Sequence, residues 1–124
     1  MYDATPSLGR VTIEQYDDAR IVSLRGEHDL ASADLVRELV GEARRAGGLI
    51  FVDLTAATFI DSTIAVSLFE AYLADTPPRV RFVIPPGTTP RIVFDRIGVV
   101  TGLPLYDSLE DALGDVRLAS ARPS

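Results

Sequence analysis

The stretch Leu49-Ile50-Phe51-Val52-Asp53 places four apolar side chains in a row and ends in a carboxylate. A strand with one face in the core alternates apolar and polar residues, whereas a strand covered on both faces carries a continuous apolar run. Gly47-Gly48 stands directly before the run and is typical of the end of a helix. The stretch therefore predicts a central strand in a sheet that has helices packed on it.

The residues before this strand predict a hairpin and a helix. Residues 11–16 alternate apolar and polar side chains, and residues 21–26 form a second apolar segment after a turn at Asp17-Asp18, which favours a β-hairpin. Residues 28–32 are interpreted as a loop, and residues 33–45 as a helix with Ser32 as its N-cap. The apolar face predicted for that helix consists of Leu35, Leu39 and Ala43, with Val36 and Val40 beside them.

The residues after the central strand alternate between helix and strand patterns. A loop that runs through Thr58 and Phe59 to Asp61 is predicted to lead into a helix at residues 64–73. The further elements predicted are a strand at 80–84, a helix at 89–97, a short edge strand at 103–106 and a last helix at 109–116. The predicted order is β-β-α-β-α-β-α-β-α, an α/β fold with a mixed sheet and packed helices. We expect a single domain at residues 11–117, a flexible leader at 1–10 and a flexible tail at 118–124.

The composition excludes several classes of function. The chain of 124 residues has a formal net charge of −6 and a pI of about 4.6, so its surface repels nucleic acid phosphates. It contains no cysteine, which excludes disulfides, thiolate metal sites and a cysteine nucleophile, and it contains no lysine. Its apolar runs are shorter than a membrane span, and its first residues do not have the pattern of a signal peptide. We therefore expect a cytoplasmic protein that binds neither nucleic acid nor membranes.

The sequence offers little support for catalysis or for a metal site. It has no glycine-rich phosphate-binding loop, and the absence of lysine argues against a phospho-accepting receiver aspartate at Asp53. His28 is the single histidine, and we predict that it is exposed in a polar loop. Asp29, Asp53 and Asp61 would bind Mg²⁺ if they formed one acidic patch, but capping of turns and helices is the favoured interpretation of each. No metal and no cofactor are expected.

The segment Phe59-Ile60-Asp61-Ser62-Thr63-Ile64-Ala65-Val66 places an acid and two hydroxyls before an apolar helix. Any of these three side chains can accept a hydrogen bond from the first N–H groups of the helix, which contributes about 1 kcal/mol. One cap is sufficient, so two polar side chains are available for another role. A hydroxyl at a helix N-terminus is also suited to carry a phosphate, because the N–H groups and the helix dipole favour negative charge there. The spacing alone favours the cap.

Four segments together resemble a known family. They are Leu24-Arg25-Gly26-Glu27-His28-Asp29, Phe51-Val52-Asp53-Leu54, Phe59-Ile60-Asp61-Ser62-Thr63 and Ser108-Leu109-Glu110-Asp111-Ala112-Leu113. Their combination resembles the STAS domain family and, more narrowly, the bacterial anti-sigma factor antagonists, over about residues 10–117. The resemblance implies the STAS-like fold, in which an initial β-hairpin precedes alternating β-α units.

The resemblance also implies a function. In this family the unphosphorylated antagonist binds an anti-sigma factor, which then releases its sigma factor. The anti-sigma factor is often a serine/threonine kinase that phosphorylates the antagonist and ends the complex, and a phosphatase reverses the modification. The family's acceptor maps onto Ser62, and Asp29 and Asp61 match its acidic positions, while Thr63 is the neighbouring hydroxyl. We therefore predict phosphorylation at Ser62 in a protein that is not an enzyme and is a monomer or a weak dimer. The predicted partner-binding residues are Asp29, Asp61, Ser62, Thr63 and Ile64.

The sequence departs from the family pattern directly after the acceptor. Ile64 and Val66 occupy two positions at which the family usually has glycine, a residue that permits close approach of another backbone. Ile64 either packs inward or presents an apolar contact to a different partner. Two alternatives therefore remain open. One is a STAS scaffold or interaction module that is not phosphorylated, and the other is a small ligand- or nucleotide-binding domain with Asp53 and Pro85-Pro86-Gly87 along a pocket.

Overall fold

A mixed sheet organises the computed structural model, which describes residues 9–97 and 103–121 and, for residues 117–121, the backbone only. Within these residues the strands are β1 (Arg10–Tyr16), β2 (Ala19–His28), β3 (Ile50–Asp53), β4 (Ala57–Ile60), β5 (Val80–Val83) and β6 (Leu105–Tyr106). The helices are α1 (Ala33–Ala46), α2 (Ser62–Leu73), α3 (Thr89–Arg96) and α4 (Leu109–Ala121), with a 3-10 turn at Leu30–Ser32. The α/β fold class predicted from the sequence is confirmed.

The order of the strands places β3 at the centre of the sheet. The order is β1-β2-β3-β5-β6, with β4 beside the other end of β2. β1 and β2 form the predicted antiparallel hairpin, and β3, β4, β5 and β6 join it in parallel pairs. The side chains of Ile50, Phe51 and Val52 are all fully buried. The continuous apolar run at residues 49–52 thus marks a central strand, as predicted.

β2 is longer than predicted because it pairs with two different strands on the same side. Its residues 20–23 pair with β3, and its residues 26–28 pair with β4 after an irregularity between Gly26 and Glu27. Gly26 has a φ of 77°, a conformation that glycine adopts without steric cost. β4 lies in the segment that we predicted as a loop. Four residues with two exposed side chains are too few to produce a recognisable strand pattern, and the pairing with β2 stabilises them.

The helices cover the two faces of the sheet unequally. Residues of α1, α2 and α3 form one large buried cluster with β2, β3 and β5, whereas α4 packs on the opposite face against Ile21, Phe51 and Val83. Burying one such side chain contributes roughly 1.5–3 kcal/mol, so these two clusters dominate the stability of the fold. None of the described helices is both long and apolar enough to cross a bilayer.

The buried face of α1 contains Val36, Val40 and Ala43 as predicted, but not Leu35. Its fully buried residues are Ala33, Val36, Val40 and Ala43, whereas Leu35 is 45% exposed. The sequence contains two overlapping apolar series, and the packing of α1 against both the sheet and α2 selects the one that contains the valines.

The predicted limits of the domain fall mostly at the edges of the described residues. Residues 1–8 of the predicted leader and 122–124 of the predicted tail lie outside them, as does Gly98, the residue directly after the helix predicted at 89–97. β1 begins at Arg10, and α4 continues to Ala121 rather than ending at Val116. The sequence between Val116 and Pro123 contains no residue that stops a helix, which explains the longer α4.

The C-terminal ends of α1 and α2 are joined through Asp75. Arg44 donates to both carboxylate oxygens, from Nε over 3.2 Å and from Nη2 over 3.1 Å. These hydrogen bonds, together with the charges of Arg44 and Arg79, hold the pKa of Asp75 below its ordinary value. Arg79 also donates to the carbonyl oxygens of Gly48 and Arg44 over 3.0 and 3.1 Å. This group of charged residues, which we call the Asp75 clamp, ties α1, α2 and the chain that enters β5 together.

Substitution of the two glycines after α1 tests the packing of this end of the molecule. Gly47 and Gly48 have φ values of 86° and 80°, so alanine at either position is expected to lower the free energy of unfolding by about 1–3 kcal/mol. A Cβ at Gly47 meets no atom within 4 Å, whereas a Cβ at Gly48 would lie 2.2 Å from the carbonyl oxygen of Asp18. We therefore expect Gly48→Ala to be destabilising by about 1–3 kcal/mol more than Gly47→Ala, as measured by urea denaturation. Equal losses in the two variants would contradict this packing.

Candidate functional site

The candidate site lies where β2 and β4 end side by side. His28 of β2 pairs with Ile60 of β4, so the next residues, Asp29 and Asp61, begin adjacent chain segments. The backbone N–H of Asp61 donates to the carbonyl oxygen of His28 over 2.9 Å and fixes the two segments to each other. The structure therefore brings together two of the acidic residues predicted to lie beside the acceptor serine.

Asp61 is the N-cap of α2, so the structure identifies which of the three candidate side chains caps the helix. Its Oδ1 accepts a hydrogen bond from the backbone N–H of Thr63 over 2.6 Å, and its carbonyl oxygen accepts from Ile64 over 3.0 Å. Ser62 and Thr63 occupy the first turn of α2 and are exposed. Because Asp61 caps the helix, the hydroxyls of Ser62 and Thr63 are not needed for capping, and both residues are exposed.

Ile64 was predicted among the partner-binding residues, and the structure corrects this point. Its side chain is fully buried in the cluster between the helices and the sheet, because it occupies the inward position of the first turn of α2. It therefore cannot contact a partner in this conformation. Val66, the other residue that replaces a family glycine, is 43% exposed and lies one turn after Ser62.

Asp29 is exposed and begins the loop between β2 and α1. Its Oδ1 accepts from the backbone N–H of Ala31 over 2.9 Å, and its carbonyl oxygen accepts from the backbone N–H of Ser32 over 3.0 Å. These bonds hold the 3-10 turn, whose first residue, Leu30, is 67% exposed. Ser32 stands at the N-cap position of α1 as predicted, but its side chain makes no capping bond there. An exposed apolar side chain thus stands beside the acidic pair.

His28 is buried rather than exposed in a loop, which corrects the prediction from the sequence. It is the last residue of β2, its Nε2 lies 2.9 Å from the carbonyl oxygen of Arg25, and its Nδ1 lies 3.0 Å from Oγ of Ser32. A Cβ at Gly9 would lie 2.4 Å from Cε1 of His28, so the chain entering β1 passes directly over the ring. Burial lowers the pKa of His28 below its ordinary value, and hydrogen bonds to backbone groups and the charge of Asp29 oppose this effect.

Asp53 does not join Asp29 and Asp61. It pairs with Ser23 of β2, five residues before His28, which corresponds to about 17 Å along the strand. Its Oδ1 instead accepts from the backbone N–H and the hydroxyl of Thr55, over 3.0 and 2.6 Å. The described residues contain no group of three or more potential metal ligands. The acidic patch considered from the sequence is therefore reduced to the pair Asp29 and Asp61.

A concave surface of about 350 Å³ adjoins Ser62 and Thr63 on the side of α1. It is lined by Arg37, Ser62, Thr63, Val66, Ser67 and Glu70. A second one, of about 250 Å³, continues along the contact between α1 and α2. Neither is lined by Asp53 or by the Pro85-Pro86-Gly87 loop, where the ligand-binding alternative placed a pocket. Arg37 was missed from the sequence because its place in the lining that it shares with Ser62 depends on how two helices pack.

The known proteins that resemble this chain point to one family. The family model of the STAS domain matches residues 10–112. An anti-sigma factor antagonist from Mycobacterium paratuberculosis has a crystal structure with a TM-score of 0.79 and 26% sequence identity, covering 90% of this chain and 97% of that one. The anti-sigma factor antagonist SpoIIAA in its unphosphorylated form gives a TM-score of 0.67 at 22% identity, covering 87% of this chain and 98% of that one. The phosphorylated form of SpoIIAA, from Bacillus, gives 0.61 at 21% identity, with coverages of 86% and 99%. No protein with a curated description matches the chain in sequence.

The buried histidine is expected to make the free energy of unfolding of the chain dependent on pH. Because the pKa of His28 is lower in the folded chain than in the unfolded chain, the unfolded chain binds a proton first as the pH falls through 6.5. We expect the free energy of unfolding to decrease between about pH 7.5 and about pH 5.5, a range in which ordinary carboxylates do not titrate. Chemical denaturation at both pH values, on the parent and on His28→Gln, measures the effect. The variant is expected to lose less stability than the parent, and an equal loss in both would contradict the assignment to His28.

Proposed function

The chain belongs to the STAS domain family, and from that premise we propose that it acts as an anti-sigma factor antagonist regulated by phosphorylation at Ser62. In this proposal the unphosphorylated chain binds an anti-sigma factor that is a serine/threonine kinase, and the bound sigma factor is released. Transfer of a phosphoryl group to Ser62 ends the complex, and a phosphatase restores it. The chain is then a binding module and a kinase substrate rather than an enzyme. The observation that carries the proposal is the exposed hydroxyl of Ser62 beside a helix cap already supplied by Asp61.

The surface proposed to bind the kinase combines apolar and acidic groups. We define the partner surface as Asp29, Leu30, Asp61, Ser62, Thr63 and Val66. Leu30 follows Asp29, Val66 lies one turn after Ser62, and both are exposed apolar side chains. Such side chains supply much of the affinity of a protein interface when a partner covers them. Asp29 and the neighbouring Asp61 favour a partner with positive charge. Removal of Ile64 from the predicted set leaves this surface intact, since Val66 supplies an apolar contact in the same turn.

A phosphate on Ser62 is compatible with the fold but not with the complex. Phosphorylation adds about −1.5 to −2 charges, and the N-terminus of α2 favours negative charge at this point. The helix therefore does not need to unfold when the serine is modified. A docked partner would have to bury this charge between Asp29 and Asp61, and desolvating a charge that is at most partly neutralised is costly. The modification is thus suited to end binding without changing the backbone.

The proposal that the chain is phosphorylated has one competitor with support in the molecule. A STAS module that binds a partner without being modified would use the same partner surface, and Val66 in place of a small residue favours a partner that requires an apolar contact. The two functions differ in whether kinase activity ends the complex, which the following experiments measure.

Phosphoryl transfer is tested with radiolabelled ATP and a candidate anti-sigma kinase. We expect the parent and Thr63→Ala to be labelled and Ser62→Ala to be unlabelled, because Ser62 is the acceptor. Thr63→Ala is the matched control, since both hydroxyls are exposed in the first turn of α2 and neither caps it. Labelling that disappears only in Thr63→Ala would assign the acceptor to Thr63. An unlabelled parent that still forms the complex would establish the unmodified scaffold.

Binding through the partner surface is tested by placing a charge at Val66. We expect Val66→Glu to weaken the complex with the kinase at least about tenfold, which corresponds to about 1.4 kcal/mol, because a carboxylate would replace a buried apolar contact. Leu73→Glu is the control, since Leu73 is 59% exposed at the other end of the same helix, and its affinity is expected to match that of the parent. Isothermal titration calorimetry gives both dissociation constants, and equal weakening by the two variants would refute the location of the surface.

A further inference from the structure

Negative charge dominates the surroundings of Ser62. Asp61 precedes it, Asp29 begins the adjacent chain segment, and Glu70 lines the concave surface that Ser62 shares. The cation that lines this concave surface is Arg37, whose guanidinium belongs to α1. A phosphate on Ser62 would therefore have one positively charged side chain within the concavity and several carboxylates around it.

The packing of α1 against α2 places the guanidinium of Arg37 near the start of α2. Arg37 donates to Ser67 over 3.2 Å, and Arg44 donates to Asp75. The paired residues are 30 and 31 positions apart in the sequence, so the separation between facing residues of α1 and α2 is nearly constant along the two helices. The same offset places Asp34 level with the residues at 64–65. Because Arg37 also donates through Nη2 to Oδ1 of Asp34, its guanidinium group is directed along α1 towards the level of residues 64–65 of α2. The level of residue 64 lies about 3 Å along the helix axis from that of Ser62.

The present partners of Arg37 are easily exchanged. The ion pair with Asp34 is open to water, with the two side chains 52% and 95% exposed, and such surface pairs contribute little to stability. Ser67 offers a neutral hydroxyl. A phosphate dianion offers three acceptor oxygens, and guanidinium groups bind phosphate with two parallel hydrogen bonds. The exchange of Asp34 for a phosphate would break this exposed ion pair and the hydrogen bond to Ser67.

We infer that Arg37 is the intramolecular counter-ion of a phosphate on Ser62 and closes over it across the shared concave surface. The inference rests on the proposed modification of Ser62 and adds a regulatory residue to it. In the unmodified chain Arg37 is held by Asp34 and Ser67 and leaves the hydroxyl of Ser62 accessible. In the modified chain Arg37 binds the phosphate oxygens, neutralises part of the added charge and withdraws from the side of α2 that carries Ser67. Arg37 is thus a positioning residue that holds the modified state, and it takes no part in the transfer of the phosphoryl group.

The test uses full-length protein with phosphoserine incorporated at position 62 during translation, so that it does not depend on any kinase. The second ionisation of phosphoserine, with an ordinary pKa of about 6, is followed by ³¹P NMR as the pH is varied. An adjacent guanidinium favours the dianion, so we expect the midpoint in the parent to lie about half a pH unit or more below that in Arg37→Gln. The Nε–H resonance of Arg37 is expected to shift when Ser62 is replaced by phosphoserine.

Arg45→Gln is the matched control for this titration. Arg45 is an exposed arginine of the same helix, eight residues and about 12 Å along the axis from Arg37, which is beyond the range of unscreened charge in ordinary buffer. Its variant makes the same change in net charge and is expected to titrate like the parent. Equal midpoints in the parent and Arg37→Gln, or equal displacement by Arg37→Gln and Arg45→Gln, would overturn the inference. Neither result would affect the proposed function, which depends on labelling of unmodified protein.

Discussion

The candidate site depends on the last three residues of β2 and on their pairing with β4. After β2 leaves β3, residues 26–28 continue beside β4, and the carbonyl oxygen of His28 accepts the N–H of Asp61. This bond determines where α2 begins. The ring of His28 is held at the same point by Arg25 and Ser32, and the chain at Gly9 covers it. His28 therefore supports both segments: its ring contacts Ser32 in the loop that carries Asp29, and its backbone carbonyl binds the turn that carries Ser62.

Two neighbouring parts of the chain have different roles at the start of α2: Asp61 caps the helix, and the residues after it carry hydroxyl groups. Asp61 satisfies the helix end, so the fold does not depend on the hydroxyls of Ser62 and Thr63. Those hydroxyls can consequently be modified without the loss of a cap. The two apolar replacements of the family's glycines are likewise divided between the interior, which contains Ile64, and the surface, which carries Val66. A change in surface chemistry at this turn is therefore largely independent of the stability of the core.

The sequence predicted those features that depend on local pattern and missed those that depend on packing between distant residues. The buried strand at 49–53, the hairpin and the helix that follows Asp61 all carry strong local signals and were confirmed. β4 was missed because its four residues carry no clear alternation and are stabilised by β2. The burial of His28 depends on a contact with Gly9, nineteen positions earlier in the chain, and the place of Arg37 beside Ser62 depends on the offset between two helices. Neither contact has a signature in the residues around it.

The Asp75 clamp bears on how a partner protein would recognise the proposed phosphorylation of Ser62. It fastens α1 to α2 at the end opposite Ser62, with two hydrogen bonds from Arg44 to one carboxylate and with Arg79 bound to both the carboxylate and the neighbouring backbone. Helices fixed in this way do not slide past each other when a charge changes at their other end. The proposed phosphate on Ser62 would therefore leave the helices joined at the Asp75 clamp. Under the proposed function a partner would then recognise the phosphate by direct contact and not through a change at a distant surface.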